Sequence, residues 1–182
     1  MDRLHKMRGE NMKQFKLLIC IGLVSFFIGA TALQTMAASD PGVNKDTRCA
    51  VCGMFVAKYP TWLCKITEKN GQAKYFDGPK DMLAYYFSPN KYGGTTQANI
   101  IKIMVKDYYS VQWIDARKAF FVMDSDVHGP MGKEFIPFSS KAAASSFAKD
   151  HKAKIILPFS KITSAIVEAA RHGQMMMNMK MK

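Results

Sequence analysis

The sequence predicts an α+β protein made of two tandem ββαβ units, with a short C-terminal helix and a mobile methionine-rich tail. Three observations predict it. Short runs of alternating apolar residues, bounded by turn signals, mark strands. Two helical stretches, FDGPKDMLAYYF and PFSSKAAASSFA, each follow a strand pair and precede another strand. The order of elements therefore recurs along the chain, the mark of an internal repeat.

The first residues decide the compartment. Arg3, Lys6, Arg8, Lys13 and Lys16 lead into the almost uncharged run LLICIGLVSFFIGATAL (17–33), followed by QTMAASD. A basic lead, an apolar stretch and small residues at a cleavage point make a secretory signal. The run is short for a membrane span of roughly 20 apolar residues, although an uncleaved anchor is the other form it could take. Cys20 lacks a lipidation setting, because the bulky Ile19 precedes it and apolar residues continue past it. The expected organisation is a signal or N-terminal anchor at 1–37, a linker at 38–47, a first unit at 48–110, a second at 111–162, and the helix and tail at 163–182. The formal net charge is +12. No nucleic-acid motif accompanies it, so in an exported chain it reads as a solvated basic surface or attraction to anionic lipid.

Each element then follows in order. TWLCKIT (61–67) alternates, with Trp62, Cys64 and Ile66 on one face, and Lys69-Asn70-Gly71 supplies the turn to AKYF (73–76). Asp77 is placed to cap a helix with Pro79 in its first turn and Met82, Leu83, Tyr86 and Phe87 as its apolar stripe. Ser88-Pro89-Asn90 ends it, and IIKIMV (100–105) is the third strand. In the second half, VQWIDA leads into the strand AFFVM (119–123), the turn-rich DSDVHGPMG, and the returning strand EFIPF (134–138). Ser139 or Ser140 caps the next helix, with Ala143, Ala144 and Phe147 facing inward, and KIILPF closes the unit. SKITSAIVEAARHG forms the last helix, ended by Gly173.

Sulfur dominates the chemistry. Fourteen methionines are present, and Met175, Met176, Met177, Met179 and Met181 fall within the last eight residues. Thioethers are soft ligands that select Cu(I), carry no proton to lose and resist oxidation better than thiolates. With His172 nearby, the tail reads as a metal-binding tract; a sticky contact for a partner is the plainer reading.

RCAVCGMFVAKYPTWLC (48–64) holds three of the four cysteines. A zinc knuckle needs four ligands, and beyond Cys49 and Cys52 only the inward-facing Cys64 remains. A redox dithiol would sit where a strand runs into a helix, which is not visible here, yet an exported C-x-x-C meets oxidants, so thiol–disulfide exchange stays the runner-up. A structural disulfide also stays open. The fourth reading is Cu(I), with Cys52 and Met54 projecting to one side of an extended C-G-M. Met131, presented by the turn HGPMG, is a third sulfur, and His128 a weaker candidate three residues before it. Met82, Met104 and Met123 read as core.

CxxCGMFVAKYP (49–60), YFDGPKDM (75–82) and VHGPMGKEFIPF (127–138) together resemble the NosL family, accessory factors of nitrous oxide reductase. The resemblance spans residues 48–162. It implies a pair of ββαβ units and an exported Cu(I) chaperone, without catalytic turnover, that helps build a copper enzyme's active site. It maps the metal-binding cysteine and methionines onto Cys52, Met54 and Met131, with Cys49 completing the C-x-x-C. The implied partners are a maturation complex in the membrane or periplasm and a recipient copper enzyme. Two features depart from the pattern: no lipidation motif is visible, and the methionine tail has no counterpart.

Overall fold

The computed structural model describes residues 40–173. The predicted signal or anchor lies outside them, as does the tail with Met175, Met176, Met177, Met179 and Met181. Among the described residues, no helix is long and apolar enough to cross a membrane.

Strand β1 (Cys64–Glu68) buries every second residue, and β2 (Ala73–Phe76) returns antiparallel to it across the Asn70-Gly71 turn. Helix α1 (Pro79–Phe87) follows, and β3 (Ile100–Lys106) pairs with the other edge of β1. Strand β4 (Trp113–Asp115) pairs with β3, so WID, expected to lead into the second unit, extends the first sheet to the order β2-β1-β3-β4. The second unit repeats the pattern. Strand β5 (Phe120–Met123) lies between β8 (Ile136–Phe138) and β9 (Ile155–Pro158), with helix α2 (Lys141–Asp150) crossing from β8 to β9. In both sheets the unit's first strand sits between its second and third. Between β5 and β8 the chain makes an extra two-stranded hairpin, β6 (His128–Gly129) and β7 (Gly132–Lys133). Helix α3 (Ser164–Arg171), capped by the Thr163 side chain, packs on α1.

Two apolar clusters hold these layers. One runs through both units and includes Cys64, Ile66, Phe76, Met82, Leu83, Phe121 and Met123. A smaller one joins α2 to its own sheet through Val122, Ile136, Phe138, Ala144 and Phe147. Met82 and Met123 are core, as expected, whereas Met104 is only half-buried on the open face of the first sheet. Ser140 caps α2, its Oγ accepting from the Ala143 N–H at 3.1 Å. The expected cap of α1 is corrected. Gly78, not Asp77, is the N-cap residue and has no side chain to offer. The acceptor comes instead from Glu134, whose Oε1 takes the Lys80 N–H from across the unit boundary.

Candidate metal centre

The first cysteines sit in a closed loop. Arg48 bridges Phe55, the Cys49 N–H donates to the Met54 carbonyl at 2.8 Å, and the Gly53 N–H donates to the Cys49 carbonyl at 3.0 Å. Gly53 turns the chain at φ +78°, a left-handed conformation that glycine adopts without the usual steric penalty. The expectation of an extended C-G-M is thereby corrected: the backbone reverses between Cys52 and Met54. The Ala50 N–H donates to the Tyr75 carbonyl at 3.0 Å and pins the loop to β2. That brings it over the point where β2 passes into α1.

Two carboxylates meet it there. The buried Cys49 thiol donates to Asp81 Oδ2 at 3.4 Å, and the Cys52 thiol donates to Asp77 Oδ1 at 3.4 Å. Burial, reinforced by Asp77, pushes the Cys49 thiol far up. The Cys52 thiol is pushed up to about 12 by burial and by Asp81, against the pull of the Met54 N–H. Cys64 is fully buried behind them, its thiol donating to the Trp62 carbonyl at 3.2 Å, as its inward face predicted. All three are free thiols.

The second unit supplies the opposite wall. Met131 is 46% exposed at the tip of the β6–β7 hairpin, whereas the core methionines are sealed. The Lys80 ammonium, itself buried, donates to the carbonyls of Met131 at 2.7 Å and Lys133 at 2.8 Å, clamping that hairpin to α1. Glu134 lies beneath and also accepts the Phe135 N–H at 2.9 Å. Burial raises its carboxyl to about 8 despite those donors. Gly78 permits the approach, since a Cβ there would stand 2.5 Å from Glu134 Oε2. The result is a cleft of about 320 Å³ lined by Cys52, Asp81, Lys80, Met131, Arg171 and His172, among others.

Residues 41–167 match the family model described as NosL. The chain belongs to the NosL family. It is 28% identical, over 143 residues and 72% of each chain, to the copper-binding lipoprotein NosL of Stutzerimonas stutzeri. The crystal structure of the copper chaperone NosL from Shewanella denitrificans shares the fold, with a TM-score of 0.60 at 24% identity over 69% of this chain and 96% of that one. The solution structure of apo-NosL from Achromobacter cycloclastes is 29% identical, covers 57% and 87% of the two chains, and has a TM-score of 0.43.

In this NosL chain, Cys52, Met131 and His172 line one cleft although the sequence places them in three different segments. His172 is the cap of α3, with Nε2 3.6 Å from Glu168 Oε2. Met54 is half-buried and does not line that cleft, and Cys49 sits deeper, against Asp81. His128 is exposed on β6, with Nδ1 3.0 Å from the Asp126 carbonyl. Sequence reasoning did not nominate Asp77, Asp81, Lys80 or Glu134. The available signal was the D-x-x-x-D spacing across a helix start, which places two carboxylates one turn apart.

Proposed function

We propose that this chain is an exported Cu(I) carrier that delivers copper to a copper enzyme and performs no turnover itself. The observation that carries the reading is that Cys52 and Met131, from separate units, line one cleft. Soft sulfur donors select Cu(I), which is content with two or three ligands. Cys52 and Met131 hold the ion, Met54 is the third sulfur of the set, and Cys49 stands in reserve. Cys52 and Met131 are both exposed. An acceptor's ligand can therefore bind before the donor's leaves, which suits handover. The names of the relatives, copper-binding lipoprotein and copper chaperone, support the same reading.

The recipient follows from the family resemblance: the copper–sulfur site of nitrous oxide reductase, loaded in the periplasm with a membrane maturation complex as partner. The apolar 17–33 stretch takes the chain out of the cytoplasm and is the part that would hold it at a membrane. His128 and His172 are secondary ligands, and the tail methionines bind further, weaker equivalents. Thiol–disulfide exchange by Cys49 and Cys52 is the weaker reading. Such chemistry places its reactive cysteine at a helix N-terminus, whereas Cys49 and Cys52 lie in the loop closed by the Cys49–Met54 hydrogen bond.

An anaerobic Cu(I) titration of the reduced chain against a competing chelator tests this. Wild type should hold one tight equivalent that Cys52→Ser and Met131→Leu both lose. Wild-type binding no tighter than that of Cys52→Ser would overturn the reading and return the C-x-x-C to disulfide chemistry.

A further inference from the structure

A cavity of about 390 Å³ lies between the segment that begins at Asp40 and the end of β3, and it shares no lining residue with the copper cleft. That volume falls within the range of small-molecule sites. Its floor is apolar: Val56 and Leu63 are buried in the core, and Val43, Pro60 and Val111 add to the walls. Val111 is an unusual choice for its place in the turn between β3 and β4. It stands at φ 56°, a left-handed conformation that disfavours a β-branched residue and suits Gly or Asn. What valine supplies there is an apolar side chain on the cavity wall.

One charge in this apolar space lacks a counterpart. Lys106, the last residue of β3, is only 6% exposed and lines the cavity. Its ammonium lies 4.4 Å from the centre of the Trp113 ring, which attracts a cation but carries no negative charge. Among the described residues Lys106 has neither a hydrogen-bond acceptor nor an ion-pair partner, because Asp40, the carboxylate that lines the cavity, is already committed. Asp40 Oδ2 takes the Lys65 ammonium at 3.1 Å, and Oδ1 accepts the Tyr75 hydroxyl at 2.8 Å and the Gly42 N–H at 2.9 Å. Burial accordingly lowers the Lys106 pKa, against the pull of Asp40. A buried cation without an acceptor is costly, and a bound anion removes that cost. An inorganic anion would leave the apolar walls unfilled, and a neutral hydrocarbon would leave the ammonium unpaired. A ligand needs both parts.

We infer that this cavity binds an amphiphilic anion, an acyl chain ending in a negatively charged group, with the charge on Lys106 and the chain against Val43, Val56, Leu63 and Val111. Two sources carry that chemistry: a free long-chain carboxylate and an anionic membrane lipid. The site is independent of the copper reading.

Isothermal titration of the full chain with decanoate, below the concentration at which it forms micelles, is the test. One equivalent should bind saturably. Lys106→Met keeps an unbranched apolar stem without the charge, and should weaken decanoate roughly 10-fold or more, as loss of a hydrogen bond to a charged group does. Decanol, the same chain without a charge, should bind weakly and equally to wild type and Lys106→Met. Ala57→Trp, at an exposed position lining the cavity, should fill it and abolish both. Circular dichroism checks folding, and Ala57→Trp carries the test if Lys106→Met does not fold. Cu(I) affinity should stay at the wild-type value in both variants. Decanoate binding that never saturates, or that is as tight in both variants as in wild type, would overturn the inference. Vesicles then separate the sources. Displacement of bound decanoate by phosphatidylglycerol vesicles, but not by phosphatidylcholine vesicles, assigns the site to an anionic membrane lipid. Retention against both assigns it to a free carboxylate.

Discussion

The two ββαβ units share a strand order but not a division of labour. In the first, a tight Asn70-Gly71 turn joins β1 to β2, and α1 is buried at every position from Pro79 to Tyr85. In the second, a long loop carrying the β6–β7 hairpin joins β5 to β8, and α2 buries only Ala144 and Phe147. The first unit supplies the thiols and carboxylates, and the second reaches across with Met131, Glu134 and the hairpin carbonyls. Chemistry thus gathers where the repeats differ, while the elements they share serve as scaffold. Loops on a rigid frame commonly carry function for this reason.

The sharpest way to break this comparison is to damage the scaffold alone. Phe147 is fully buried between α2 and its sheet, in the cluster that contains no cysteine. Phe147→Ala should cost about 3–5 kcal/mol in urea unfolding. The Cu(I) affinity of the folded chain should remain at the wild-type value. Lost affinity with little lost stability would show that the second unit's sheet is itself part of the site.

Cutting the bridge between the units should cost less stability and more binding. Glu134→Ala strips the acceptor from the Lys80 and Phe135 N–H groups, and such buried orphans cost about 1–3 kcal/mol. Lys80 and Glu134 touch no proposed ligand sulfur; they position the hairpin that carries one. Their loss should therefore weaken Cu(I) binding roughly 10–100-fold, the usual range for groups that orient metal ligands. Measuring Met131→Leu alone and combined with Glu134→Ala sharpens the point. If Glu134 acts through Met131, the double variant should bind no worse than Met131→Leu.

Much of this was legible in the sequence, and the failures have physical causes. Alternation and turn residues placed the strands and helices because local pattern decides them. The presentation of Met131 was readable because glycine and proline flank it in a turn. The cap of α1 was not. Asp77 has the right side chain at nearly the right place, but it is turned to Cys52, and the N–H it would have taken goes to Glu134, 54 residues away. The bend at Gly53 was also missed, since C-G-M suits an extended chain equally well until the Cys49–Met54 hydrogen bond closes the loop. Long-range polar contacts leave no periodic signature, and those contacts complete this site.

The smallest effects separate two buried carboxylates that tie the units together. Asp107, at the end of β3, accepts the Ser110 N–H at 2.9 Å and, from the second unit, the Ser139 N–H at 2.7 Å. Burial pushes its pKa upward, but those donors prevail and hold it below the usual carboxylate range. Its contribution to stability is fully present above the unfolded value of about 3.9 and is lost as pH falls through the lower folded value. Glu134 runs the opposite way. Burial raises it to about 8, so the folded state keeps a proton that the unfolded chain gives up. Its contribution is full below the unfolded value of about 4.3 and is lost as pH rises toward the folded one. Urea unfolding across pH should therefore show an acid limb that flattens in Asp107→Asn. It should also show a decline from about pH 4.3 to about pH 8 that flattens in Glu134→Gln, whose amide keeps an acceptor oxygen but cannot ionise. If Glu134→Gln left that decline untouched, Glu134 would be ionised in the folded chain, and the bridge between the units a charged link where burial favours a neutral hydrogen-bonded clamp.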